Sequence, residues 1–314
     1  MKKDSFGEKV QDFMSGEKEY ITVHQELVDG FMDLTFYTVF PGIYLAYNDI
    51  HAQTVPSNKD GVVRNLLLLN YCIEGRCEFK MDEYNYSYLE HHRMNIALQV
   101  PQDNFYYPSG RYKGYEIYLF PQMLTKETTE FLKALGIEID SLIENYTKYR
   151  VFYTSEVIEK LWSRIEESCH SKNTGQIRLD MLQILKYFCD NKPSPSMTTT
   201  YLSKAQSMLA KKAREMLVQD LSRHLSMREI AEQLEVSETS LKRYFRAVYG
   251  KNISVYMKEI RMQKAANLLT SSKQSISDIA KACGYVNQGR FASVFNEYYG
   301  VKPLEYRRME KQKE

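Results

Sequence analysis

Phe245 and the pair Tyr249-Gly250 recur fifty residues later as Phe295 and Tyr299-Gly300, and Tyr256 recurs as Tyr306. Upstream, Ile230-Ala231 returns as Ile279-Ala280, one residue out of step. Self-similarity at such a period means that one supersecondary unit is laid down twice in tandem. Each copy reads as helix, tight turn, helix. In the first, Ser226 caps a helix over 227–234, with Glu229 at its third position as in a capping box. Ala231 is small where a second helix must cross. Glu235-Val236-Ser237 forms the turn, and Ser237 caps a helix over 238–248. In the second copy, Ser275 and Ser277 start a helix over 278–283. Gly284 supplies a left-handed turn residue, and the next helix covers 287–298.

Helical periodicity sorts the second helix of each copy into two faces. Leu241, Tyr244, Phe245 and Val248 make a buried stripe that leaves Thr239, Lys242, Arg243 and Arg246 outside. In the second copy Phe291, Val294 and Phe295 point inward, and Gln288, Arg290, Ser293 and Asn296 outward. Arg and Lys can donate to guanine O6 and N7, and Gln and Asn can pair with adenine, so such faces suit the major groove of double-stranded DNA. A single polar face is as readily a solvated surface. Here two stand at fixed spacing, within residues 203–314, which hold 21 Lys and Arg against 12 Asp and Glu. Together they point to a polyanion. The rest of the chain is acidic, with 21 against 28. A helix over 254–270, about 26 Å long, joins the units and can set two reading helices about one DNA turn, ~34 Å, apart.

The first half has a different grammar. Residues 36–120 read as short strands: the apolar run 62–73, a hairpin break at Glu74-Gly75, then 77–81, the alternation of Tyr84, Tyr86 and Tyr88, and strands over 93–100 and 112–120, separated by a loop over 101–110. That spacing predicts a small barrel. Helices follow over 124–135, 155–169 and 176–189. The last aligns Ile177, Met181, Ile184 and Phe188 as a seam, which either packs on its own barrel or forms a homodimer contact. The polar, proline-containing stretch 191–202 is a linker. The chain therefore reads as an α+β two-domain protein: 1–190 sensing and dimerisation, 191–202 linker, 203–314 DNA binding.

Several classes are disfavoured. No apolar run is long enough to span a membrane and the chain opens without a secretory leader, so a cytoplasmic location is expected. The five cysteines are odd in number and scattered, as in a reducing compartment. Among the six histidines only His91 and His92 adjoin, and neighbours on a strand face opposite ways. No metal, cofactor or enzymatic activity is therefore expected.

The residues 227–237, 244–246, 261–269 and above all Ile276-Ser277-Asp278-Ile279-Ala280 through Tyr306-Arg307 resemble the AraC/XylS family of transcription regulators. The resemblance implies base reading by Thr239, Lys242 and Arg243 in the first unit and by Gln288, Gly289 and Ser293 in the second, with Arg290 beside them; Arg246, on the open face of the first, is a further candidate DNA contact. Glu235 departs from the family's turn glycine. The first half, through 47–51 and 69–77, resembles the cupin-like sensor domain of such regulators. That implies a small-molecule effector, for which Tyr71, Tyr106, Tyr107 and Tyr112 are pocket candidates; each is also a natural packing residue. A regulator controlled by its concentration or by a partner protein is the alternative. Expected partners are double-stranded DNA, a second copy of the chain, an effector and RNA polymerase.

Overall fold

The computed structural model describes residues 6–56, 66–98, 104–146, 150–191 and 201–312. The chain divides into two compact units, Met1–Tyr201 and Leu202–Glu314. Of the expected linker, residues 192–200 lie outside the described residues, as do 62–65 and 99–103 of the expected strands and loop.

The first unit opens with α1 (Phe6–Ser15), and strands begin already at Tyr20, ahead of the expected start. They are β1 (Tyr20–Leu27), β2 (Gly30–Phe40), β3 (Ile43–His51), β4 (Thr54–Pro56), β5 (Leu67–Lys80), β6 (Asn85–Glu90), β7 (Arg93–Leu98), β8 (Asn104–Tyr106) and β9 (Tyr112–Leu119). Then come α2 (Lys126–Ala134), α3 (Ile139–Asn145), β10 (Arg150–Tyr153), α4 (Glu156–His170) and α5 (Thr174–Asp190). The pairings along this path are antiparallel, in the order β1-β2-β3-β9-β5-β7-β10. The far half of β5 leaves this sheet to pair with β6 and β8, and β8 with β4. The result is a nearly closed barrel of the expected cupin-like kind.

The hairpin break expected at Glu74-Gly75 is absent. β5 runs straight through, with a register shift between Cys72 and Glu74. Gly75 has φ +85°, and a Cβ there would lie 2.0 Å from the Arg111 carbonyl oxygen. The glycine thus serves a bulge that lets one strand serve two sheets, which local sequence does not distinguish from a turn.

Two apolar layers result from the period-two alternation. Leu69, Tyr71, Ile96, Tyr115 and Ile117 face the helices. Trp162 of α4 lies between Tyr71 and Tyr115, with ring centroids 5.0 and 5.5 Å away and nearly parallel planes. Phe36, Tyr44, Ala46, Cys72, Cys77, Tyr107 and Tyr112 fill the interior. His91 and His92 lie in the turn before β7 rather than on a strand, so their rings adjoin at 3.6 Å instead of facing apart.

The seam of α5 is an internal surface. Ile177, Met181, Ile184 and Phe188 are at most 1% exposed in the single chain and belong to the core beneath the sheet. Wholly buried Asp180 accepts from Arg164 of α4 and from Gln176, which fastens α5 to α4. The dimer reading of these four residues is therefore corrected. A heptad-like stripe arises equally from a helix lying on a sheet, because both demand one apolar face.

The second unit is helical: α6 (Lys204–Gln219), α7 (Met227–Gln233), α8 (Glu238–Tyr249), α9 (Ile253–Ser271), α10 (Ile276–Ala282), α11 (Gln288–Tyr299) and α12 (Pro303–Lys311). No described helix is long and apolar enough to cross a membrane.

Candidate nucleic-acid interface

The two halves of the second unit are built alike in detail. Ser226 and Glu229 form a reciprocal capping box on α7. Ser237 caps α8 by accepting from the Ser240 amide, and Asn287 caps α11 by accepting from the Arg290 amide. After α7, Glu235 takes φ 55°; after α10, Gly284 takes φ 79°. The following amides close the same bond, Val236 to the Ala231 carbonyl at 3.0 Å and Tyr285 to the Ala280 carbonyl at 2.9 Å. This is the helix-terminating pattern that a left-handed residue permits. The glutamate holds it despite its side chain, so the departure at Glu235 leaves the turn's form intact.

Behind the second helix of each unit sits the same aromatic trio. Phe245, Tyr249 and Tyr256 have centroid separations of 4.4, 5.3 and 4.8 Å. Phe295, Tyr299 and Tyr306 have 4.7, 5.4 and 5.1 Å. Ile230, Leu241, Phe245 and Val248 are fully buried, as are Ile279, Cys283, Phe291 and Phe295. Tyr244 and Val294, read as inward, are only partly buried. The Tyr244 hydroxyl accepts from Gln206, and its ring carries the Arg243 guanidinium 5.3 Å from the centroid. Hydrogen bonding from Arg243 draws that phenol below its usual range.

With these faces buried, α8 exposes Thr239, Lys242, Arg243 and Arg246, and α11 exposes Gln288, Gly289, Arg290, Ser293 and Asn296. Lys242 pairs with Glu238 at 2.5 Å one turn away, both well exposed. Such a pair contributes only ~0.3–0.5 kcal/mol, so Lys242 is free to exchange its partner for a phosphate or a base. The second face has fewer charges and shorter side chains, so it offers hydrogen bonds more than net attraction.

A link that sequence reading did not find ties the second turn to its surroundings. His224, ahead of α7, contacts the Gly284 carbonyl through Nε2 at 2.7 Å. With Nε2 donating, Nδ1 accepts from Arg261 of α9 at 3.2 Å. A lone histidine in a polar stretch carries no periodic signal for such a bridge.

The pocket candidates separate. Tyr71 points at Trp162, away from the barrel interior. Tyr106 lies on β8, partly buried. Tyr107 and Tyr112 are interior neighbours, with centroids 5.2 Å apart. The buried Tyr112 hydroxyl has no hydrogen-bond partner.

Comparison with known proteins bears on the helical unit above all. Residues 230–309 match the helix-turn-helix domain family. The HTH-type transcriptional activator RhaR of Mannheimia succiniciproducens is 27% identical over 184 residues, 57% of this chain and 65% of that protein. RhaR of Yersinia pseudotuberculosis is 37% identical over 91 residues, 29% of this chain and 31% of that protein. The chain thus spans less than two thirds of the length of these relatives. Among solved structures, an AraC-type regulator from Chromobacterium violaceum is 28% identical and covers 33% of this chain and 94% of its own, with TM-score 0.32. ToxT from Vibrio cholerae is 13% identical over 85% of this chain and 98% of its own, with TM-score 0.30.

Proposed function

We propose that this chain is an AraC/XylS-type regulator, a sequence-specific DNA-binding transcription regulator governed by a small molecule bound in its barrel; its helix-turn-helix match and its similarity to RhaR support the family reading. One observation carries the DNA reading: the same helix-turn-helix is built twice, each with its second helix exposing groove-reading side chains, in a region with an excess of nine positive charges. α9 has 19 residues and measures about 29 Å, which suits two reading helices entering successive major grooves. The RhaR proteins of Mannheimia succiniciproducens and Yersinia pseudotuberculosis are transcriptional activators, which supports a role in regulation.

Control by an effector draws support from the barrel, whose interior holds buried polar groups that packing alone does not require. Control by concentration alone would need only an apolar filling. The test is selection of bound duplexes from a random pool by the full chain. Enrichment of a site with two elements about one turn apart is the expected result. A pool that stays random, with equal affinity for scrambled duplexes, overturns the proposal.

A further inference from the structure

The strongest unexplained feature of the first unit is a polar row crossing the barrel's inner face. Asn95 of β7, Asn70 of β5, Glu116 of β9 and Ala46 of β3 are successive cross-strand partners. They sit on the inner face because the residues beside them along each strand, Ile96, Tyr71, Tyr115 and Leu45, all belong to the helix-covered layer. Direct cross-strand partners have Cβ atoms about 5 Å apart, so the three polar side chains adjoin.

Asn70 is 0% exposed and Asn95 1%. Neither the amide nitrogen nor the amide oxygen of Asn70 has a partner, and the amide oxygen of Asn95 has none either. A buried amide left unpaired destabilises a fold, and native interiors nearly always avoid it. Plain packing would fill the position with an aliphatic, as at Leu68 and Leu69 on the same strand. Glu116 is held differently: Tyr118 donates to its carboxylate, and Asn48 hydrogen-bonds it as well. Glu116 and Tyr118 keep partial exposure although β9 lies inside the sheet between β3 and β5. Accessible space therefore reaches the row at Glu116, next to the buried amides of Asn70 and Asn95.

We propose that this row is the effector's recognition site, and that it takes a small uncharged molecule bearing adjoining hydrogen-bond donors and acceptors, a polyol or a carboxamide. The assignment rests on the effector reading above and adds its chemistry. Each asparagine amide offers one donor edge and one acceptor edge, which neighbouring hydroxyls or an amide complement equally well. The row contains no Lys or Arg, so an anion would find no counter-charge. Glu116 already receives hydrogen bonds, and burial pushes its carboxyl above the usual range, toward the neutral form. It is thus no ready partner for a cation. The rings of Phe36 and Tyr118, 6.1 Å apart, supply apolar walls for the carbon skeleton.

The test uses thermal melts of the full chain with four probe sets: polyols (erythritol, xylitol, glucose), carboxamides (acetamide, lactamide, nicotinamide), carboxylates (acetate, gluconate) and amines (ethylamine, glucosamine). A binding member of either neutral set raises the melting temperature by roughly 5–10 °C at about a hundredfold excess over Kd, and which set does so identifies the source. Asn70→Leu abolishes that shift. Without probe, Asn70→Leu leaves the melting temperature unchanged or raises it, because an unpaired amide has been replaced by an aliphatic group of similar volume; Asn95→Leu behaves alike. A lower melting temperature for both variants without probe shows that the amides serve folding and overturns the proposal. If only charged probes act, the ligand class falls while effector control survives. If no probe of any set acts, both fall.

Discussion

The two turns make opposite demands on their left-handed residue, and a pair of substitutions reads the difference. At Gly284 an added Cβ would lie 2.4 Å from the Leu221 carbonyl oxygen, at φ +79°. The left-handed conformation alone costs a side chain about 1–2 kcal/mol. The backbone oxygen cannot rotate away, so relief comes only by displacing the turn, which also loosens the 2.7 Å contact of His224 with the Gly284 carbonyl. That hydrogen bond contributes about 0.5–1.5 kcal/mol. Gly284→Ala should therefore destabilise the helical unit by about 3 kcal/mol, a shift of roughly 12–20 °C for a domain of this size. Glu235 already carries a side chain at φ 55°. Glu235→Gly relieves its strain while adding unfolded-state entropy, so its melting temperature should change by no more than the equivalent of about 1 kcal/mol. Thermal denaturation of the fragment 202–314, with DNA titrations alongside, provides both numbers. If Gly284→Ala melts within two or three degrees (~0.5 kcal/mol) of the parent, the close approach to Leu221 is not a constraint and the reasoning fails.

Arg243→Ala should weaken specific binding by about 1–3 kcal/mol and relax preference at one operator position; a uniform loss across sequences in gel-shift titrations would reassign Arg243 to a phosphate. The fragment 203–314 should bind DNA with an affinity that falls as salt rises, through counterion release, and salt-independent binding would refute the electrostatic reading of its excess positive charge. Replacing Met181 and Phe188 together with Glu should unfold the first unit, since both side chains are buried in its core and buried charge is strongly unfavourable. A folded double variant by circular dichroism, changed only in sedimentation, would restore the seam to a dimer.

What was legible in the sequence is what repeats or alternates. The duplicated unit declared itself through Phe245, Tyr249 and Tyr256 and their copies, because the same packing problem was solved twice with the same rings. Caps at Ser226 and Ser237 were legible because short hydroxyls before apolar periodicity have few other uses. β5 was misread at Gly75 because a glycine satisfies a bulge and a turn by the same backbone freedom. The α5 stripe reads as a dimer contact in sequence although the barrel buries it, since apolar periodicity records that a face is buried and not what buries it. The polar row escaped notice for a related reason: Asn70, Asn95 and Glu116 are scattered in sequence and meet only through strand register, and one asparagine within an aliphatic run resembles a bulge or strand end.

The same register makes the polar row proposed as the effector site and the helical layer neighbours. Asn70 and Glu116 point inward, while Tyr71 and Tyr115, the next residue along in β5 and the previous one in β9, hold Trp162 between them on the outer face. A ligand that draws β5 and β9 together must alter that stack, because no side-chain layer intervenes. α4 is fastened to α5 through Arg164 and Asp180, and the chain continues from α5 toward the DNA-binding unit. Coupling of this kind requires that the ligand favour one arrangement of the stack over another, which is measurable because Trp162 is the sole tryptophan. Its ring is 1% exposed, so emission reports packing rather than solvent access. The neutral probe that raises the melting temperature should change Trp162 emission with the same concentration dependence. Trp162→Phe should keep the thermal shift but reduce the probe's effect on DNA affinity. An emission spectrum that stays fixed while the melting temperature rises would mean that the signal leaves the barrel by another route.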